Sequence, residues 1–122
     1  MAKIKVLSVD DSELVQKEIK EFLSGHDHDF LTASDGEEGI QLVKDNLDAT
    51  LLIVDFEMPK RTGLEMLKEL KGSVKDPLPP VVFLTTKPNR EYSKEAKELG
   101  VISWIIKPMK KPMLDLLIKK LT

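Results

Sequence analysis

Apolar and polar residues follow two different spacings along the chain, and the changes between them divide its 122 residues into strand–helix pairs. Short, mainly apolar runs predict strands, and a run that is apolar on successive residues predicts a strand buried on both faces of a parallel sheet. Apolar residues three and four positions apart predict helices with one buried face. The predicted strands are residues 3–9, 30–33, 50–54, 81–84 and 101–106. The predicted helices are one that begins after Ser12 and ends at Leu23, and four over residues 37–46, 63–71, 89–99 and 112–121.

Residues with particular backbone preferences mark the ends of these elements. Ser12 is suited to cap the first helix, and Gly25 predicts a left-handed stop after it. Pro112 fits the first turn of the last helix. Five strands that alternate with five helices predict βαβ units with right-handed crossovers and helices on both faces of the sheet. The predicted fold class is therefore α/β, with a doubly wound, parallel, five-stranded sheet.

Length, composition and charge narrow the class of protein. A chain of 122 residues predicts one domain, which should bury roughly two-thirds of its unfolded surface. The absence of cysteine excludes disulfides and thiolate metal sites, and a formal net charge of −2 offers no basic field for direct nucleic-acid binding. No apolar run reaches membrane-spanning length, and Asp10 and Asp11 interrupt the N-terminal one. We expect a single cytoplasmic domain over residues 1–122, without membrane insertion and without an attached output domain.

Polar residues that can do chemistry follow four of the predicted strands. Parallel strands bring their carboxyl ends to one edge of the sheet, where open α/β sheets form binding sites. The residues after the first, third, fourth and fifth strands are Asp10 and Asp11, Asp55, Thr85 and Thr86, and Lys107. The sequence therefore predicts carboxylates, hydroxyl groups and an ammonium group at one site.

Together these groups favour phosphoryl transfer at a site that binds a divalent cation. Clustered carboxylates repel one another, and an all-oxygen ligand set suits Mg²⁺ or Mn²⁺. Lys107 and the Thr85 hydroxyl can neutralise and hydrogen-bond a phosphoryl group, which Asp55 can accept as an aspartyl phosphate. Met58 and Pro59 turn the chain away and leave the site open. Each residue by itself also fits a plainer role, as a helix cap, a strand hydroxyl or a surface charge.

Five short motifs resemble those of the response-regulator receiver domain, the CheY-like module of bacterial two-component signalling. They are VDDS at 9–12, VDFEMP at 54–59, GLEML at 63–67, LTT at 84–86 and IKP at 106–108. The resemblance covers essentially the whole chain. It implies a flavodoxin-like (βα)5 fold with strand order 2-1-3-4-5, an order taken from the family and not from the residue pattern.

The resemblance implies a role for each residue of the site. Asp55 corresponds to the phosphoacceptor. Asp10 and Asp11 correspond to the acid pair that binds Mg²⁺ or Mn²⁺, with Asp55 and the backbone carbonyl of Glu57 as further ligands. Lys107 corresponds to the lysine that pairs with the phosphoryl group.

Switching is implied in the same way. Thr85 corresponds to the switch hydroxyl, and Trp104 stands where the family usually has Tyr or Phe, the aromatic residue that moves inward with the threonine. The Lys107–Pro108 bond is expected to be cis, as in similar proteins. Movement of Thr85 would free space for Trp104, whose bulk predicts that its inward position is harder to reach. The alternative is that Trp104 is a partly exposed apolar residue that serves a partner surface together with Ile102.

The function that the resemblance implies is that of a stand-alone response regulator. It would accept a phosphoryl group from a histidine kinase or a phosphotransfer protein and hydrolyse it slowly, as a signalling phosphoacceptor and not as an enzyme. The surface of the fourth helix, fifth strand and fifth helix would then bind a downstream target protein, and the chain would be a monomer or a dimer through that surface. Chemotaxis is one pathway that fits.

Three other functions stay open from the residues alone. A receiver-like module could bind partners without phosphorylation, although the complete acidic set argues against it. A flavodoxin-like cofactor binder would want phosphate-cradling glycines where this chain has acids. A phosphatase with an aspartyl nucleophile would usually need a cap for which this chain has no spare length.

Several positions depart from the family pattern or have more than one interpretation. Glu57 and Lys87 flank the site, where they either face each other and tune the phosphoryl lifetime or are separate solvated charges. Either the Thr86 methyl narrows access to the acceptor or, as we expect, the Thr86 hydroxyl is simply solvated. Thr62 stands at a loop position where the family often has Asp, a departure expected to matter little, and Phe56 is expected to be a packing residue. Two further sets are interpreted as exposed: His26 and His28 without a metal, and a charged face or docking edge of Lys110, Lys111, Lys119 and Lys120.

Overall fold

The computed structural model describes residues 3–87 and 90–122, which form five strands and five α-helices. The strands are β1 Ile4–Val9, β2 His28–Ala33, β3 Leu51–Asp55, β4 Val81–Thr85 and β5 Val101–Ile106. The helices are α1 Glu13–Phe22, α2 Gly36–Lys44, α3 Gly63–Ser73, α4 Ser93–Glu98 and α5 Lys111–Leu121. Two 3-10 turns, Leu23–Gly25 and Arg90–Tyr92, follow α1 and precede α4.

All strand pairs are parallel, and the strand order is β2-β1-β3-β4-β5. The predicted α/β class, the five-stranded parallel sheet and the order 2-1-3-4-5 are therefore confirmed. Every residue of β3 and β4 is buried, because helices cover both faces of the central strands.

The core lies in two layers, one on each face of the sheet. Alternate residues of β3 point to opposite layers, so that Leu52 and Val54 pack on one side and Leu51 and Ile53 on the other. The first layer includes residues of α2, α3 and α4, and the second includes residues of α1 and α5. Burying each such aliphatic side chain contributes about 1.5–3 kcal/mol, so the two layers hold the strand ends that carry the site.

Most elements differ from their predicted bounds by a residue or more at one end or both, and the starts of β2 and α4 have a physical reason. Strand β2 begins at His28 and not at residue 30, because His28 already pairs with Ile4 of β1. Helix α4 begins at Ser93, since the chain before it forms a 3-10 turn in which the Ser93 hydroxyl donates to the carbonyl of Arg90 at 2.9 Å. Asn89, where that helix was predicted to begin, lies outside the described residues.

The left-handed glycine is not where the sequence predicted it. Gly25 closes the 3-10 turn after α1 without a positive φ, so the predicted left-handed stop is wrong. Gly100, which ends α4, has φ of 99°, a conformation that glycine adopts without steric cost.

Thr62 has a structural role that the sequence did not predict. Its hydroxyl accepts a hydrogen bond from the N–H of Glu65 at 3.1 Å, while the Glu65 carboxylate accepts one from the N–H of Thr62 at 2.8 Å. This reciprocal pair is a capping box that satisfies two donors at the start of α3. Thr62 therefore serves as an N-cap, a role that the Asp usual at this position could also fill, and the expectation that this departure matters little stays a prediction.

The two histidines are half-buried, so the expectation of full exposure is wrong. His26 Nε2 lies 2.9 Å from Oδ1 of Asp115, and His28 Nδ1 lies 2.7 Å from the carbonyl oxygen of His26. Lys111 also pairs with Asp115 at 2.6 Å, one turn away on α5. These contacts tie the chain after α1 to the last helix.

Two further expectations were tested by the backbone. The Lys107–Pro108 peptide bond is cis, as predicted. In residues 3–87 and 90–122, no helix has the length and apolar character that crossing a membrane requires.

Candidate functional site

Three carboxylates meet beyond the ends of β1 and β3. Single carboxylate oxygens of Asp10, Asp11 and Asp55 lie within 4.8 Å of one another. Asp55 is the last residue of β3, and Asp10 directly follows β1. Asp10 and Asp55 are 2% and 3% exposed, whereas Asp11 is exposed. The sheet topology thus brings together the acids that the sequence predicted.

Lys107 supplies the positive charge of this site from the end of β5. Its Nζ lies 3.4 Å from Oδ2 of Asp10 and 3.4 Å from Oδ1 of Asp55. Its backbone N–H donates to the carbonyl of Thr85 at 2.8 Å, which anchors the lysine to the end of β4. The ammonium group therefore reaches both buried acids from a fixed backbone.

Burial raises the pKa of Asp55 to about 6, and the nearby charge of Asp10 adds to this effect. Lys107 and the N–H of Glu57, which donates to Oδ1 of Asp55 at 3.1 Å, act in the opposite direction. A carboxylate with this pKa is mostly ionised at neutral pH, and its position is fixed by two neighbours. Asp55 is thus available as an oxygen nucleophile.

The pKa values of Asp10 and Lys107 reflect the same competition between burial and neighbouring charges. Burial raises the pKa of Asp10 against the opposing effects of the Ser12 N–H and Lys107. For Lys107, burial would lower the pKa, but the charges of Asp10 and Asp55 outweigh it and raise the pKa. One ammonium group thus stands against a cluster of three acids, and the cluster favours a second cation.

The donor set fits a hard divalent cation. Oδ2 of Asp10 is buried and has no hydrogen-bond partner among the described residues, although Lys107 lies at 3.4 Å. The converging carboxylates of Asp10, Asp11 and Asp55 offer only oxygen ligands, which suit Mg²⁺ or Mn²⁺. The predicted metal-binding acids therefore have the chemistry that such an ion needs.

The carboxylate of Glu57 binds to the end of β4. It accepts hydrogen bonds from the Thr86 hydroxyl at 2.7 Å, the Thr86 N–H at 3.0 Å and the Thr85 hydroxyl at 3.2 Å. Burial would raise the pKa of Glu57, but these hydrogen bonds outweigh it and lower the pKa. The expectation of a solvated Thr86 hydroxyl is therefore wrong.

Lys87 lies beside Thr85. Its carbonyl oxygen is 2.8 Å from the Thr85 hydroxyl. The facing of Glu57 and Lys87 across the site stays a prediction, since the hydrogen bonds described for the Glu57 carboxylate come from Thr85 and Thr86.

An aromatic cluster adjoins the site, and the sequence reasoning found only part of it. Trp104 is half-buried, with its ring 4.9 Å from that of Phe83 and 5.0 Å from that of Phe56. Tyr92 also packs on Phe56, with their ring centroids 5.8 Å apart. Phe56 is a packing residue, as predicted, and through it the chain next to Asp55 contacts Trp104.

Comparison with known protein families identifies the family to which this site and fold belong. The family model of the response regulator receiver domain matches residues 6–119. The chain belongs to the response-regulator receiver domain family. The receiver domain resembles a chemotaxis protein CheY homolog of Campylobacter jejuni, with 36% identity over 107 residues, 86% of this chain and 82% of that protein. Its identity with chemotaxis protein CheY1 of Helicobacter pylori is 33%, over 86% of each chain.

Solved structures agree with this assignment. The chemotaxis protein CheY4 of Vibrio cholerae superposes on the receiver domain with a TM-score of 0.84 and 28% sequence identity, over 99% of this chain and 100% of that one. Receiver domains of the CheY type are signalling phosphoacceptors that interact with histidine kinases and downstream proteins, and not enzymes in the usual sense. The acidic pocket of Asp10, Asp11 and Asp55 fits such a phosphoacceptor.

Proposed function

We propose that this receiver domain accepts a phosphoryl group on Asp55 and passes the signal on by binding a protein. The observation that carries the proposal is the position of Lys107 Nζ, 3.4 Å from both Asp10 and Asp55 at the mouth of the three-carboxylate cluster. Carboxylate nucleophile, paired ammonium group and metal-binding acids are the components that phosphoryl transfer requires.

The phosphoryl donor in this proposal is a histidine kinase or a phosphotransfer protein. A carboxylate oxygen of Asp55 attacks the phosphorus of a phosphohistidine, an O–P bond forms, and the P–N bond breaks. The imidazole leaves with the bonding electron pair and takes up a proton from water. Lys107 neutralises charge on the transferred group, and the Thr85 hydroxyl can donate to one of its oxygens.

A divalent cation belongs to the same proposal. Asp10, Asp11 and Asp55 would hold Mg²⁺ or Mn²⁺ together with the backbone carbonyl of Glu57. When bound, such an ion supplies positive charge that stabilises the oxygens of a transferring phosphoryl group. The residues themselves place the nucleophile and limit the approach of water, which would hydrolyse the product slowly.

The output in this proposal is a change of the surface formed by α4, β5 and α5. Phosphorylation adds about −1.5 to −2 charge. The new charge attracts the Thr85 hydroxyl toward the phosphoryl group, and this movement biases the position of Trp104. Ile102 and Ile106, both 50% exposed, lie on β5 beside Trp104, and Met113 is exposed on α5. An apolar surface of this kind suits a downstream protein or a second copy of the chain. Chemotaxis is the pathway to test first, because the relatives in Campylobacter jejuni and Helicobacter pylori are named as chemotaxis proteins.

Intact mass spectrometry tests the proposal. The protein is incubated with acetyl phosphate and Mg²⁺, and one added phosphoryl group is expected in the wild type. Asp55→Asn should gain none, and Asp11→Asn, which changes an exposed residue, should gain less at a given Mg²⁺ concentration. A wild type without the adduct, or an adduct that persists in Asp55→Asn, would contradict the proposal and favour a module that works without phosphorylation.

Magnesium binding provides a test that does not depend on phosphorylation. A ligand at about 100 times its dissociation constant stabilises the folded state by about 2.7 kcal/mol. Mg²⁺ should therefore raise the melting temperature of the wild type, and raise it less for Asp11→Asn. Equal shifts in both proteins would show that the cation binds elsewhere.

A further inference from the structure

The end of β4 presents hydrogen-bond donors that converge on one point, and a side chain of the protein itself occupies that point. The Glu57 carboxylate accepts from the Thr86 N–H at 3.0 Å and from the Thr86 hydroxyl at 2.7 Å. The Thr85 hydroxyl lies 3.2 Å from the same carboxylate and 2.8 Å from the carbonyl of Lys87. Because a hydroxyl has one proton, these two acceptors share it.

The converging donors lie beside the proposed phosphoacceptor. Asp55 pairs with Leu84 in the sheet, so that Thr85 and Thr86 follow directly on the neighbouring strand. Lys107 approaches Asp55 from the β5 side at 3.4 Å. A phosphoryl group on Asp55 therefore stands near the end of β4, and its oxygens need donors there.

Glu57 is placed to interfere because its backbone is tied to the acceptor. Its N–H donates to Oδ1 of Asp55 at 3.1 Å, which holds the residue over the site while its exposed side chain reaches to β4. A carboxylate carries negative charge and accepts the same hydrogen bonds as a phosphoryl group. The two anions cannot use these donors at once without strong repulsion.

We propose that the Glu57 carboxylate is an internal competitor of the phosphoryl group, a clasp on Thr85 and Thr86 that must open before the phosphorylated state forms. The inference rests on the proposed function of Asp55. It adds that Glu57 restrains the domain in its unphosphorylated state, and that the energy of its hydrogen bonds is subtracted from phosphoryl binding.

Removing the clasp should make phosphoryl binding tighter. Glu57→Ala removes the acceptor, and Glu57→Gln keeps a weaker, neutral one. Glu13→Ala is the matched control, because Glu13 is an exposed acid that lines the pocket next to Asp10 and Asp11 but makes no described contact with β4. It removes the same charge near the site and leaves the clasp intact.

Two measurements distinguish the clasp from a simple charge effect. The first is the amide ¹H–¹⁵N spectrum of the unphosphorylated protein, where the Thr86 N–H should shift and exchange faster in Glu57→Ala and not in Glu13→Ala. The second is the concentration of beryllofluoride, a non-covalent phosphoryl analogue, that half-saturates each protein in Mg²⁺. It should fall about fivefold to tenfold in Glu57→Ala, since a hydrogen bond to a charged acceptor is worth about that factor or more.

The outcomes separate failure of the clasp from failure of the proposed function. Glu57→Gln should lie between the wild type and Glu57→Ala, and Glu13→Ala should change beryllofluoride binding by less than about twofold because exposed charges are screened. An unchanged Thr86 amide, weaker binding in Glu57→Ala, or an equal gain in Glu13→Ala would overturn the clasp. If the wild type binds no beryllofluoride and gains no phosphoryl group from acetyl phosphate, the proposed function itself is wrong and the competition fails with it, whereas a failure confined to the Glu57 variants overturns the clasp and leaves the proposed function standing.

Discussion

The rings of Phe56 and Trp104 lie 5.0 Å apart, and Phe56 is the residue that follows Asp55. Trp104 also meets Phe83 edge-on at 4.9 Å. The indole is half-buried and packs against the core residues Phe56 and Phe83. The expectation that its bulk makes a fully inward position harder to reach stays a prediction.

Replacing Phe56 by Leu should loosen Trp104. The substitution removes an aromatic pair and leaves space beside the indole, which should lower the free energy of unfolding by about 1–2 kcal/mol. Trp104 is the only tryptophan, so tryptophan fluorescence reports the surroundings of this residue alone, and its emission should shift to the red. Tyr92→Phe, which keeps the ring that packs on Phe56, is the control. An unchanged emission maximum in Phe56→Leu would contradict the contact.

The raised pKa of Asp55 should make the metal-free protein lose stability as the pH rises. The folded state holds a proton up to about pH 6, whereas an ordinary aspartate loses it near 3.8. Between these values the folded state binds more protons than the unfolded state, so the free energy of unfolding falls as the pH increases. Asp55→Asn cannot titrate, and its advantage over the wild type should grow by about 2–3 kcal/mol between pH 4 and pH 7. Urea unfolding in a chelating buffer measures the difference.

Asp115 provides a control with the opposite sign. His26 and Lys111 lower its pKa, so its stabilising effect is present above the unfolded pKa and is lost as the pH falls. Asp115→Asn should therefore lose stability relative to the wild type as the pH rises from about 3 to about 5, the range in which an ordinary aspartate titrates. The pH explanation for Asp55 would be refuted if Asp55→Asn followed the wild type in parallel over the whole series.

Gly63 at the start of α3 should not tolerate a methyl group. A Cβ there would lie 2.9 Å from Cε1 of Phe83, 3.1 Å from Cγ1 of Val54 and 3.2 Å from the carbonyl oxygen of Asp55. Overpacking of this kind should cost about 1–3 kcal/mol of unfolding free energy in Gly63→Ala. Gly72, near the other end of the same helix, has open space around its Cβ position, so Gly72→Ala should instead stabilise by about 0.5–1 kcal/mol. Equal effects of the two substitutions would show that packing does not explain Gly63.

Thr62 should matter through its capping box. Thr62→Ala removes the hydroxyl that accepts from Glu65 at 3.1 Å, and the loss should cost about 0.5–2 kcal/mol. Thr62→Ser keeps a capping hydroxyl and should stay close to the wild type in urea unfolding. Comparable destabilisation of both variants would point to the lost methyl group and not to the cap.

The fold and the polar end of the sheet were predictable because both depend on short-range pattern. The apolar runs of β3 and β4 predict buried parallel strands, and such strands bring whatever follows them to one edge. The placement of Asp10, Asp55 and Lys107 at one site follows from this pattern alone and needs no resemblance to a family. The start of β2 was missed because His28 joins the sheet through its pairing with Ile4, a long-range contact.

Features that depend on side-chain direction could not be predicted in the same way. Glu57 is exposed, and nothing in its spacing indicates that its carboxylate turns toward Thr86. The late start of α4 at Ser93 depends on a preceding 3-10 turn whose Tyr92 packs on Phe56. Such contacts join residues far apart in the chain, and local propensity contains no information about them.

The backbone around Thr85 is held on both sides. The N–H of Phe56 donates to the carbonyl of Leu84, and the N–H of Lys107 donates to the carbonyl of Thr85, each at 2.8 Å. A shift of the main chain here would break a hydrogen bond of the sheet and move the Lys107 ammonium group away from Asp10 and Asp55. Rotation about the Cα–Cβ bond of Thr85, which is buried, breaks no hydrogen bond of the sheet and changes the hydrogen bonds of its hydroxyl to Glu57 and Lys87. Torsion of one side chain within a rigid frame is thus the least costly way for this domain to register a change at Asp55.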